Sequence, residues 1–250
     1  MQYDDNRIFH RLSLLVGPDA LKALWESRVM LIGLGGVGSW CAEALVRSGI
    51  GNITIVDYDT VCLSNTNRQI QALNDTIGRL KAEVLAERLK CISPECNIIP
   101  ITETFSKHNT EKFNIDDADY IIDAIDSLES KLDLIETAFS HGKRLFSSMG
   151  MAFKLDPTQI KVQDIWNCSG CPLARLVRHG LRKRGFTGTF PVVYSPEVLP
   201  KKDLPDEEPD YTERGTGRRP LGSAMPVTAA AGMTLASLVI RDIVGTYNNE

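Results

Sequence analysis

The 250-residue sequence lacks the features that mark the more specialised classes of protein. Six cysteines are too few to staple a chain of this length into a disulfide scaffold. Basic residues are not in excess: 28 lysines and arginines face 32 aspartates and glutamates, a net charge of -4. Nothing global therefore attracts nucleic acid, and a polyanion would have to be held by a local basic patch working against the overall sign. The opening MQYDDNRIFH has no apolar run behind a basic stretch, so no secretory signal is expected and the cytoplasm is the expected compartment. The longest apolar run, Ala-rich residues 226–240, falls short of the roughly 20 residues of a spanning helix and reads as a buried helix, with no membrane span expected. No internal repeat occurs. What remains, 43% hydrophobic and 24% charged residues with a mean hydropathy of -0.12, is an ordinary globular composition, long enough for one large domain or a core with an appendage.

From residue 28 onward, β-branched and aliphatic runs alternate with helical patterns. Strands are expected at 29–32, 53–56, 98–101, 120–124 and 144–147, with helices at 37–48, 80–91 and 128–141. This βαβ order predicts an α/β fold with a doubly wound, mostly parallel, Rossmann-like sheet. Gly17-Pro18-Asp19 opens a short helix, with proline where a missing N–H matters little, so the first residues form an N-terminal helical arm. After Asp156-Pro157 the pattern loosens. Residues 200–220 hold four prolines and little apolar content, and read as an exposed, mobile loop. The expectation is one domain over 1–250, with a nucleotide-binding core at 28–150 and a substrate-side extension at 151–250.

Gly33-Leu34-Gly35-Gly36-Val37-Gly38 follows one expected strand and opens an expected helix, where glycines let backbone N–H groups approach phosphates. Asp57 ends the next strand, placed to accept hydrogen bonds from ribose hydroxyls. On these residues alone NAD reads as well as ATP, and a glycine-rich turn with no ligand stays open. The polar run from Asp57 through Ser64, Asn65 and Asn67 to Arg68 and Gln69 stands where a dehydrogenase would enter its crossover helix. It ends in a cation able to neutralise phosphate. Taken singly, Arg68 and Lys81 could be solvated surface cations and Asp126 a helix N-cap.

These motifs, with Lys81 in the following helix and Asp123-Ala124-Ile125-Asp126-Ser127 at a later strand end, together resemble the ubiquitin-activating-enzyme-like family, which includes the adenylyltransferases of thiamine and molybdopterin synthesis. The resemblance implies an ATP site in which Gly33, Gly35, Gly36 and Gly38 form the phosphate loop. Asp57 holds the ribose, Asn65, Arg68 and Lys81 grip the triphosphate, and Asp59 and Ser64 belong to the same ATP-binding set. Asp126 would hold Mg2+, with Arg68, Lys81 and Asp126 as the catalytic charges. It also implies a homodimer in which an arginine of the partner's N-terminal arm, Arg7 or Arg11, reaches the ATP. Beyond the ATP motifs the chain looks most like the tRNA threonylcarbamoyladenosine dehydratases, through Asn65 to Ile70, Asp156-Pro157-Thr158-Gln159-Ile160, Pro172-Leu173-Ala174-Arg175, Val193-Tyr194-Ser195-Pro196-Glu197 and the Gly- and Ala-rich C-terminal helix. By that likeness the substrate is tRNA.

The basic stretch Arg175, Arg178, His179, Arg182, Lys183, Arg184 is the candidate RNA contact, against the reading that it is a solvated helix face. Cys168-Ser169-Gly170-Cys171 has zinc-ligand spacing, but no second such pair follows and Cys91 and Cys96 are spaced wider, so no zinc is expected. Two other classes remain: activation of the C-terminus of a ubiquitin-like sulfur carrier, and an NAD-dependent oxidoreductase. A sulfur-relay protein is a further partner that the sequence leaves open.

Overall fold

The computed structural model describes residues 8–200 and 221–245. Seven strands form one sheet: β1 (Arg28–Ile32), β2 (Asn52–Val56), β3 (Asn97–Ile101), β4 (Tyr120–Asp123), β5 (Arg144–Ser148), β6 (Lys161–Asp164) and β7 (Pro191–Tyr194). Their order across the sheet is β3-β2-β1-β4-β5-β7-β6, with every neighbour parallel except the antiparallel pair β6 and β7. β1 is the centre of the first half, and its RVMLI run is buried from Val29 onward because a parallel strand is covered on both faces.

One face carries α3 (Gly38–Arg47), α4 (Lys81–Ile92) and α7 (Met225–Ile243) over a core that includes Leu31, Leu45, Ile55, Leu85 and Leu235. The other carries α5 (Leu128–Ser140) and α6 (Pro172–Lys183) over Met30, Ile121, Leu134, Val177 and Val192. Two short N-terminal helices, α1 (His10–Val16) and α2 (Pro18–Glu26), meet at Gly17, whose φ of 84° suits glycine. α2 buries Leu21 and Leu24, whereas α1 leaves Leu14 and Leu15 exposed.

The expected strands and helices up to residue 148 are all present, with ends shifted by a residue or two. After residue 156 the loose pattern conceals β6 and β7, which join the same sheet, while the helical stretch after Pro172 is present as α6 in its covering layer. α7 is longer than the apolar run suggested. At 19 residues it has the length and composition to cross a membrane, yet half of it is buried in the protein. It lies so close to α3 that a Cβ at Gly232 would come within 2.4 Å of the Val37 carbonyl oxygen. The loop expected at 200–220 lies, apart from Pro200, outside the described residues.

From β1 the chain proceeds to β2 on one side, and later enters β4 on the other. That reversal opens a crevice at the carboxyl ends of β1 and β4, where open α/β sheets bind ligands.

Candidate active site

Gly33 and Gly38 shape the crevice at positions with no room for a side chain. Beyond Ile32 the chain turns at Gly33 with φ 93°, and the Gly33 N–H donates to Val56 O at 2.9 Å. A Cβ at Gly33 would lie 2.6 Å from the Ala124 carbonyl oxygen, and one at Gly38 would lie 1.8 Å from the Gly33 oxygen. The loop is therefore folded tightly between the end of β4 and the first turn of α3. Gly35 has no neighbour within 4 Å of a Cβ position, so its backbone is open to a ligand. No side chain caps α3, whose N-terminal dipole end borders the loop and could favour an anion there.

Asp57, at the end of β2, braces this loop. Its carboxylate accepts the Leu34 N–H at 2.7 Å and the Asp59 N–H at 2.9 Å. Burial raises its pKa above the ordinary carboxylate value, opposed by the nearby Lys81 charge and by those two hydrogen bonds. Lys81 opens α4 and is not the solvated cation the sequence allowed. It is 4% exposed, and its Nζ donates to Asp59 Oδ2 at 2.9 Å. Arg68 is half-buried. Its Nη1 donates to Ser64 O at 3.0 Å and to Asn67 Oδ1 at 2.9 Å, while the Trp40 indole N–H holds its backbone oxygen. A Cβ at Gly36 would lie 3.2 Å from both Arg68 Cγ and Thr228 Cβ, so the Arg68 stem and the start of α7 border the loop. Buried Asn65 fixes the turn by accepting the Cys62 N–H, and Ser64 is exposed beside it.

Asp126 sits exposed in the turn after β4, whose Ala124 packs against Gly33. It does not cap α5; the N-cap position is Ser127. The crevice thus gathers glycine-loop amides, the cations of Arg68 and Lys81, and the carboxylates of Asp57 and Asp126. Such a set can hold a nucleotide triphosphate and stabilise charge that develops on phosphorus.

Sequence reasoning missed the support beneath this crevice. Lys131 of α5 is fully buried and donates to Asp123 Oδ2 at 2.6 Å and to Ser148 O at 3.0 Å, while Ser147 donates to the same Asp123 oxygen at 2.6 Å. Asp123 Oδ1 accepts the Ile125 N–H at 3.0 Å, so the network sets the turn that carries Asp126. Buried Gln71 donates to Leu34 O at 2.9 Å, and its Oε1 has no hydrogen-bond partner among the described residues.

The other expected residues lie apart from this cluster. Arg11 is exposed on α1, and Leu12 beside it approaches Gly49, at the opposite end of α3 from the loop. Arg7 lies outside the described residues. On α6, Arg175, His179, Arg182 and Lys183 are exposed. Arg178 reaches the Ile165 carbonyl at 3.3 Å, and Arg182 lies over the Trp166 ring. Arg184 departs from the expected RNA contact. It is bound by carboxylates of α5, with Asp133 at 2.8 Å, Glu136 at 2.7 Å and Glu129 also in contact, so its charge is already neutralised. Cys168 and Cys171 are buried, and burial pushes the Cys168 thiol up to about 12. Among the described residues, no cluster of three or more His, Cys, Asp or Glu side chains is arranged to hold a metal.

A comparison with known proteins matches the ThiF family over residues 9–250. The chain is 42% identical over 219 residues to tRNA threonylcarbamoyladenosine dehydratase 2 of Saccharomyces cerevisiae, covering 83% of this chain and 48% of that one. It therefore spans about half the length of the yeast relative. It is 36% identical over 239 residues to tRNA threonylcarbamoyladenosine dehydratase of Bacillus subtilis, covering 94% of each. Among solved structures, E. coli tRNA N6-threonylcarbamoyladenosine dehydratase in complex with ATP superposes with a TM-score of 0.83 at 35% identity, over 96% of this chain and 95% of that one.

Proposed function

Since the chain belongs to the ThiF family, we propose that it is an ATP-dependent tRNA threonylcarbamoyladenosine dehydratase. The observation that carries this reading is the crevice between β1 and β4, where a glycine loop closed by Gly33 and Gly38 faces Arg68, Lys81 and Asp126 on the same fold as an ATP-bound dehydratase.

In the first step a carboxylate oxygen of the threonyl group attacks the α-phosphorus of ATP. The bond to the bridging oxygen breaks, and pyrophosphate leaves with the electron pair. In the second, a nucleophile within the same modified side chain attacks the acyl carbon and AMP departs, closing a ring. ATP becomes AMP and pyrophosphate, and the nucleoside loses the elements of one water. The chain supplies no covalent partner; it positions and stabilises charge. Asp57 is placed for the ribose, and Gly35 and Gly36 let backbone N–H groups near the phosphates. Arg68 and Lys81 oppose the charge growing on pyrophosphate; the Lys81 ammonium has donors to spare beyond its contact with Asp59.

Asp126 fits a Mg2+ ion: it is an exposed carboxylate on the turn that packs against the glycine loop, and Mg2+ takes oxygen ligands while keeping several waters. Bound there, the ion would help neutralise the negative charge that develops on the departing phosphates.

The substrate is tRNA, met by the exposed α6 cations Arg175, Arg182 and Lys183, with Arg178 behind them. The protein acts in the cytoplasm as a homodimer, and the partner's Arg11 or Arg7 completes the ATP site. In support, Arg11 lies at the wrong end of its own α3 to serve its own site. A sulfur-relay protein is compatible as an accessory partner. Pyrophosphate release that requires threonylcarbamoyl-modified tRNA supports this reading. Release stimulated by a ubiquitin-like carrier protein, or NAD binding in place of ATP, would contradict it.

A further inference from the structure

Phe153 occupies a conformation that neither local preference nor burial explains. Its φ is +55°, in the left-handed region. Among the described residues the one other non-glycine with positive φ is Asn114, a residue type that tolerates this region, whereas for a bulky side chain it is a strained outlier. Of the eight phenylalanines, Phe153 alone is exposed, at 54%, so the strain does not serve to bury the ring.

The surrounding chain enforces this placement. On one side Met151 is anchored in the core. On the other, buried Lys154 donates to the Glu197 carbonyl, and the Glu197 carboxylate accepts the N–H groups of Leu155 at 2.8 Å and Asp156 at 3.1 Å. The Phe153 N–H itself donates to Gly222 O at 2.8 Å, and the ring edge borders Gly222. The next residue ties this platform to the nucleotide crevice: Ser223 O accepts from Asn67, which in turn accepts from Arg68. An exposed aromatic ring is therefore tied through Gly222, Ser223 and Asn67 to Arg68 of the crevice.

We propose that Phe153 is the stacking platform for an unpaired base of the RNA substrate, holding it at the mouth of the adenylylation site. The inference rests on the proposed tRNA substrate and deepens it. A carboxylate carried on a base enters a crevice between strand ends only if that region of RNA is splayed out of its own stack, and proteins hold such bases on aromatic faces. The anchored backbone holds the point from which the ring projects, so less freedom is lost when the base arrives.

The test uses the full chain and tRNA carrying threonylcarbamoyladenosine. Phe153→Gly relieves the backbone strain, since glycine adopts positive φ freely, and removes the ring. Phe153→Leu keeps apolar bulk, and Phe153→Trp keeps an aromatic face. The expected result is tRNA affinity about tenfold weaker for the glycine and leucine variants, the magnitude typical of one base–aromatic stack. Phe153→Trp should bind tRNA as the wild type does and show fluorescence quenching on tRNA addition beyond that of the wild type. ATP affinity should be the same in all, and the thermal midpoint of Phe153→Gly should not fall. Wild-type tRNA affinity in the glycine and leucine variants overturns the proposal and leaves the dehydratase reading intact. Parallel loss of ATP binding and thermal stability in Phe153→Gly would mean that the ring supports the loop, and also overturns it. Wild-type protein that binds ATP but not tRNA removes the substrate reading and this proposal together.

Discussion

Replacing Lys81 with methionine keeps the length of the stem and deletes one charge. Lys81 is 4% exposed, its pair with Asp59 at 2.9 Å leaves that carboxylate only 12% exposed, and its charge also bears on Asp57. Removing one partner of a buried pair leaves an uncompensated charge and typically destabilises by about 3–5 kcal/mol; the residual exposure of Asp59 puts the expectation at about 3 kcal/mol at neutral pH. The loss should depend on pH with a definite sign. Burial already raises the Asp57 pKa in the folded state. The native protein thus binds a proton more readily than the unfolded chain, and stability falls as pH rises from the ordinary carboxylate value through the raised one. Lys81 limits that fall, so its removal raises the folded pKa further. The deficit should be smallest at or below the ordinary carboxylate value, about 4, and grow as pH rises through the raised Asp57 value. Urea denaturation of both proteins across this range measures it. A deficit of the same size at every pH, or none at pH 7, would refute the reasoning. Asp59→Asn in the Lys81→Met background should recover part of the loss.

Asp126→Asn should lower the single-turnover rate of adenylylation on the order of 10²-fold with the thermal midpoint unchanged, because the side chain is exposed and outside the core. Reversing Arg175, Arg182 and Lys183 to Glu should weaken tRNA binding and reduce its salt dependence by up to about 0.9 per lost phosphate contact, with ATP affinity unaffected; unchanged tRNA affinity would make that surface a solvated face. Arg184→Glu should instead destabilise the fold, since it would set a fourth carboxylate among Glu129, Asp133 and Glu136, and thermal melting reads this directly. Metal analysis should find no stoichiometric zinc, and at pH near 8 iodoacetamide should label exposed Cys91 well before Cys168, whose thiol burial pushes up to about 12.

The first half of the sheet and the glycine-loop crevice were legible because their signals are local. Glycines at fixed spacing, a strand before them and a helix after them, and an acid at the next strand end all lie within short windows of sequence. β6 and β7 were not legible. Each is four residues long, β7 begins with a proline, and half-burial blurs the alternation along β6. The roles of the long cations depended on contacts between distant segments. That Lys81 is buried against Asp59 follows from how α4 meets the end of β2. Arg184 looked like part of a basic surface because its partners lie on another helix. Even so, Glu129, Asp133 and Glu136 recur at helical spacing and could have been read as an acidic stripe awaiting a cation. Lys131 gave a similar clue. It stands at helical spacing from Leu134, Ile135 and Ala138, so the pattern itself put a lysine on the core face of α5, where only a buried acid such as Asp123 could receive it. Nothing in the sequence marked the left-handed backbone of Phe153.

The most direct test of the central claim is nucleoside mass spectrometry of tRNA carrying threonylcarbamoyladenosine, incubated with the protein, Mg2+ and either ATP or no nucleotide. The account predicts that the modified nucleoside is converted, only with ATP, to a species lighter by one water, with AMP and pyrophosphate formed in equal amount. An unchanged nucleoside in the presence of ATP and active, folded protein would contradict it.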